Sequence, residues 1–304
     1  MSTLDKKGLW SHLLITFGIT YAIEGLIILK GFRVTGIPAF AGQIVVAAVM
    51  WVPAVATLIT VKFITREGLA IARIRIGKLK PYLEAALIIP LCFLVIYGLT
   101  WLFGLAHPDW ELASLRKTMA DAGAPSNLPF STPVLLLILL GASLLVTPFM
   151  NALFGFGEEL GWRGYLLPKL MPLGKTRAYL LLGILWGLWH APLVAVGFNY
   201  PGYPVLGILG MSALTTALSI YINEMTLRYQ SSILAGWIHG VFNSQGYGIW
   251  RILFPDANPF LGGFTGLIGL AVFSALGFWR MRSPNPVQIP LPKVQQVKAL
   301  DDPH

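Results

Sequence analysis

The sequence is poor in charge, nearly free of cysteine, and without the familiar nucleophile signatures of hydrolases. Asp, Glu, Lys and Arg together make up 12% of its 304 residues, about half the share of a soluble domain. With 56% hydrophobic residues and a mean hydropathy of +0.70, an ordinary water-soluble fold is excluded. The single cysteine, Cys92, lies inside an apolar run, so no intrachain disulfide and no cysteine-rich metal site can form. Neither GxSxG nor HExxH occurs, which removes the strained serine elbow and the two-histidine helical zinc motif. The alternating pattern of a membrane β-barrel is missing. So is an internal repeat of the kind that builds inverted-repeat transporters. In so apolar a chain, the net charge of +9 reflects the Lys/Arg bias of cytoplasmic loops rather than nucleic-acid binding.

What the chain has is long apolar runs. A span needs about 20 mostly apolar residues to cross roughly 30 Å of hydrocarbon. On that rule the sequence predicts an all-α, polytopic bundle of eight helices, near 8–29, 38–61, 81–105, 131–156, 178–198, 205–225, 231–250 and 260–280. The first run carries Glu24 and no small-x-small cleavage site, and is read as a retained span rather than a signal peptide. Pro53, Pro90, Pro148 and Pro192 fall inside spans and are expected to kink them. With both termini in the cytosol, the outside loops keep only Lys30, Arg33, Arg116, Lys117 and Arg251, and the other 17 of 22 cations lie inside. That imbalance sets the orientation. Residues 62–80 read as a basic amphipathic piece on the inner leaflet. Residues 107–130 read as an external loop with a short helix. The transmembrane domain is 1–282, and the Pro-rich tail, 283–304, is expected to be disordered and cytosolic.

The charge that interrupts the apolar pattern is concentrated in NALFGFGEELGWRG, 151–164. It follows 24 mostly apolar residues, Pro133 to Phe156, and places Glu158, Glu159 and Arg163 where hydrocarbon would continue. A charged side chain near the bilayer centre costs roughly 2.5–3.5 kcal/mol on insertion scales, so such residues need a partner or a purpose. On a helix Glu159 and Arg163 stand i, i+4 apart and pair. Glu158 points about 100° away and is left free for chemistry. Gly155, Gly157, Gly161 and Gly164 let neighbouring helices come close. A membrane-end salt bridge with Trp162 as interfacial anchor would use the same residues, and these 14 positions alone do not decide between the two.

Of five histidines, His12, His107 and His304 are expected to be solvated. His190 and His239 lie within predicted spans, the first one turn after Trp186 and the second one turn before Asn243. A lone intramembrane histidine is usually interhelical glue. A Glu–Glu–Arg unit, a His and a His/Asn pair on three helices instead point to convergence on one wet cavity. A carboxylate and an imidazole suit deprotonation of a water, and a His/Asn pair suits stabilisation of a tetrahedral oxyanion, so the set fits amide hydrolysis. Glu24, Glu84 and Glu224 lie near span ends, the latter two beside cations, and no chemistry is assigned to them.

EELGWR (158–163), WGLWHAP (186–192) and HGVFN (239–243) resemble the EExxxR, FxxxH and HxxxN/B motifs of the CPBP or Abi family, the CAAX prenyl proteases and bacteriocin-processing enzymes. The resemblance covers about 130–250, and Trp186 stands where the pattern has Phe. It implies an eight-helix intramembrane endopeptidase with a cavity open to the cytosol. Glu158 and His190 would activate water, and His239 with Asn243 would hold the oxyanion. Glu159 and Arg163 would be structural or accessory. The substrate implied is a lipidated, CAAX-like or membrane-associated peptide, in the cell membrane if the source is prokaryotic, with lipids as the other partners. A metal-free glutamate mechanism is preferred, while two His and a Glu also make a plausible zinc set. A proton-coupled transporter and a non-catalytic immunity protein are the competing functions.

Overall fold

The computed structural model describes residues 4–34, 40–123 and 129–283; His304 and nearly all of the expected tail lie outside them. Regular structure among these residues is entirely helical. In chain order it comprises α1 (Lys6–Leu29), α2 (Phe40–Val49), α3 (Val52–Ile59), α4 (Lys80–Leu102), α5 (Ala113–Asp121), α6 (Thr132–Leu145), α7 (Thr147–Glu159), α8 (Leu167–Leu170), α9 (Lys175–Trp189), α10 (Ala191–Ala195), α11 (Pro204–Tyr229), α12 (Ser232–Gly246), α13 (Ile249–Leu253) and α14 (Leu267–Met281). α5 is the short helix expected in the external loop.

Among the described residues, four helical stretches are long and apolar enough to cross a membrane: Lys6–Leu29, Ile44–Ile64, Lys80–Leu102 and Pro204–Tyr229. A fifth is made if Thr132–Leu145 and Thr147–Leu173, joined at a 40° bend, count as one span. The chain is an integral, multi-pass membrane protein. The count of eight is not reached on length, because α9, α12 and α14 have 15 residues each, about 22 Å. Proline explains part of the difference. Pro53, Pro148 and Pro192 each stand in the first turn of a new helix, where the missing N–H has no helical partner to lose. Only Pro90 lies within a continuous helix.

The inner layer is α7 against α12, with α11 packed between α9 and α14. Glycine permits the first of these contacts. A Cβ on Gly240 would sit 2.4 Å from the Ala152 backbone nitrogen, and one on Gly155 would sit 3.1 Å from the His239 side chain. The two backbones therefore touch, and the α7 carboxylates are brought under the α12 histidine.

Cations gather at one end of the bundle. Lys169 bridges Asp5 at 2.6 Å and Glu67 at 2.7 Å, Lys175 pairs with Glu224, and Arg280 with Glu84 at 3.3 Å. Burial alone would raise the Asp5 carboxyl, but Lys169 and the Gly8 amide hold it below the ordinary carboxylate value. The 62–80 segment, read from the sequence as a basic amphipathic piece, holds the end of a short π-type turn and a 3-10 turn, and one of its cations is used inwards: Arg75 donates to the carbonyls of Gln230 at 2.6 Å and Tyr229 at 3.0 Å. Two expectations are corrected. His12 is not solvated but fully buried, stacked on Tyr165 and bonded to Thr57 at 3.1 Å. Trp162 is fully buried against Trp189 and His12, so it anchors no interface.

Candidate active site

α7 ends at Glu159 and passes directly into a π-type stretch, Leu160–Leu166. Such widened turns often accompany functional sites. Here one places Arg163 within a closed polar network. Its Nη1 donates to both Glu159 oxygens at 2.8 and 2.9 Å, its Nε to Asn223 at 3.1 Å and its Nη2 to Ser219 at 2.7 Å. Both members of the pair are fully buried. Charge pairing together with hydrogen bonds on all three guanidinium nitrogens is what makes burial of two charges tolerable. The i, i+4 pairing predicted from the sequence is therefore present, with α11 supplying two partners that the sequence did not announce.

Glu158 faces the other way. It is 2% exposed, and its Oε2 accepts from the Trp186 indole Nε1 at 2.7 Å. Phenylalanine at position 186 has no such donor. The departure from the family pattern thus adds a charge-assisted hydrogen bond of about 1.5–3 kcal/mol. The Trp186 ring also lies 4.3 Å from the Arg163 guanidinium, within cation–π range.

The two histidines are oriented from behind. His190, between α9 and α10, bonds through Nδ1 to the Trp186 carbonyl at 2.8 Å. A carbonyl only accepts, so Nδ1 carries the proton and neutral His190 presents Nε2 as an acceptor. Phe198 stacks on this ring and Trp189 meets it edge-on. His239 Nδ1 bonds to Glu159 Oε1 at 2.9 Å, so the carboxylate counted as accessory also fixes the orientation of the second imidazole. Asn243, one turn further along α12, is half-buried.

Glu158, His190, His239 and Asn243 line one cavity of about 210 Å³, walled by apolar side chains of α2, α9 and α11. No direct hydrogen bond joins Glu158 to His190 among the described residues. Counting residues from the cationic end, His239 is seven beyond Ser232 and His190 fifteen beyond Lys175. At 1.5 Å per residue the cluster lies about 10–22 Å into the bundle.

No group of three or more His, Cys, Asp or Glu side chains among the described residues is arranged to hold a metal ion. The zinc set suggested by two His and a Glu is therefore not assembled in this geometry, and no step below is routed through a metal. One cavity residue escaped the sequence reading. Glu24, placed there near a span end without chemistry, lines the same cavity as Glu158. The signal was available: His12, Thr16, Thr20 and Glu24 recur every fourth residue and are all buried, a polar stripe on one face of an otherwise apolar helix.

Residues 130–245 match the family model described as type II CAAX prenyl endopeptidase Rce1-like. The chain is also similar to CAAX prenyl protease 2 of Methanococcus maripaludis, with 34% identity over 106 residues, 32% of this chain and 34% of that relative. The aligned stretch thus spans about a third of the relative's length. Both comparisons support the CPBP resemblance, and the family-model match holds all six motif residues, from Glu158 to Asn243.

Proposed function

From an Rce1-like segment that contains the entire acid–imidazole cluster, we propose that the protein is an intramembrane endopeptidase of the CAAX-protease type. It hydrolyses a peptide bond of a prenylated or otherwise membrane-associated peptide. The observation that carries this is the convergence of Glu158, His190, His239 and Asn243 on one buried cavity. Water held between Glu158 and His190 Nε2 loses a proton to the carboxylate as its oxygen attacks the scissile carbonyl. The Asn243 amide and His239 Nε2 donate to the developing oxyanion. For Nε2 to donate while Nδ1–H stays on Glu159, the ring must be an imidazolium, and Glu159 is its adjacent counter-charge. The apolar walls suit a lipid chain or hydrophobic side chains next to the cleaved bond.

The test is incubation of the purified protein, in lipid vesicles, with a farnesylated peptide ending in a CAAX sequence, followed by mass spectrometry. A single new cleavage product is expected, absent with His190→Ala and with His239→Ala. Undiminished cleavage by either variant would contradict the assignment.

A further inference from the structure

Amide hydrolysis also requires a proton for the departing nitrogen, and the cavity holds a second acid without an assigned role. Glu24 comes from α1, outside the family-matched segment. It is 1% exposed, its Oε2 has no hydrogen-bond partner, and it joins no ion pair among the described residues. No Lys or Arg among the described residues lines the cavity. The register of α1 against α9 is fixed one turn earlier, where Trp189 Nε1 donates to Thr20 at 2.8 Å and the Tyr21 hydroxyl donates to the Leu188 carbonyl at 2.6 Å. Glu24 is thereby held beside the His190 end of α9. A buried acid without a partner is costly, and a ligand in the cavity would supply the missing one.

We propose that Glu24 is the general acid of this site, an inference that rests on the peptidase function above. Two acids in one cavity can divide the work, one starting ionised and one protonated. Glu158 takes the proton of the attacking water, and the tetrahedral intermediate then collapses with cleavage of the C–N bond. The Glu24 carboxyl gives its proton to the leaving nitrogen and becomes a carboxylate. Transfer of the proton from Glu158 to Glu24 through cavity water restores both groups. The net change is one amide and one water converted to an acid and an amine.

The test compares two probes of the same farnesylated peptide: one with a peptide bond after the farnesylcysteine, the other a p-nitrophenyl ester there, whose phenolate leaves without a proton. Glu24→Gln is expected to lower kcat on the peptide about 100-fold, with a deficit on the ester smaller by at least a factor of about ten. Equal deficits on both probes, or none on the peptide, would overturn the proposal. If Glu24→Gln does not fold, Glu24→Met, which also lacks the acidic proton, is scored by the same two ratios. Glu158→Gln should slow both probes, since both need activated water. If wild-type protein cleaves neither probe, the peptidase function fails and this proposal with it; if Glu158→Gln cleaves the peptide at the wild-type rate, Glu158 is not the base and the division of work between the two acids is overturned. A Glu24-specific failure leaves that function standing.

Discussion

Two adjacent carboxylates separate the interior into two regions with opposite properties. On the Glu159 side nearly every charge is matched: Arg163 is held by the carboxylate, Asn223 and Ser219, and His239 takes up the remaining approach. On the Glu158 side the carboxylate has one protein donor, Trp186, and opens onto a cavity with another acid, a histidine acceptor and an amide. Both regions are buried, so burial does not distinguish them. The saturation of their hydrogen bonds does. A satisfied network holds helices together, whereas groups with free valences facing a cavity are available to a substrate.

The sharpest way to break this comparison is to unbalance the saturated side. Arg163→Leu leaves Glu159 buried without its cation, a loss of about 3–5 kcal/mol. It should appear as a large fall in Tm in detergent and as loss of activity together. Unchanged Tm would mean that the network is not structural. His239→Gln crosses the boundary between the regions, removing the ring that links Glu159 to the cavity. Here kcat should fall by about 10²-fold with a smaller change in Tm, measured by steady-state cleavage and thermal unfolding on the same preparation. Trp186→Phe sharpens the contrast from the cavity side. It keeps an aromatic ring but deletes the donor to Glu158, a hydrogen bond of about 1.5–3 kcal/mol. About a tenfold or greater drop in kcat with little change in KM is expected, and an unaltered kcat would show that the indole N–H has no part in positioning the acid.

The smallest effect belongs to the cationic end. The folded-state value of Asp5 is depressed, so its contribution is present above the unfolded carboxylate value of 3.8 and is lost as pH falls through the lower folded value. The pair is partly solvent-exposed and is worth under about 1 kcal/mol. The Tm difference between wild type and Asp5→Asn should be slight at pH 7 and shrink as pH falls below 3.8.

The motif half of the site was legible in the sequence because it depends on local rules. Glu159 to Arg163 and His239 to Asn243 are one-turn spacings, and charge inside an apolar run marks an interior site. The all-helical, multi-pass architecture followed from hydropathy. Less legible were features that depend on packing between distant segments. Glu24 and His12 belong to a four-residue stripe whose meaning appears only once α1 lies against α3, the Leu160–Leu166 stretch and the end of α9. Asn223 and Ser219 resemble any helix-interior polar residues until Arg163 reaches them. The number of spans is not settled by helix length, because hydropathy does not show where Pro148 and Pro192 start new helices, and α9, α12 and α14 have only 15 residues each.

The most direct test is Glu158→Gln, which preserves shape and removes only the ionisable group. Cleavage of a farnesylated peptide should be measured for wild type and variant, with and without a strong chelator, alongside Tm. The account predicts an unchanged Tm, a kcat lowered by about 10²–10⁴-fold, and wild-type cleavage insensitive to the chelator. Cleavage by Glu158→Gln at the wild-type rate, or wild-type activity abolished by the chelator and restored by zinc, would contradict it.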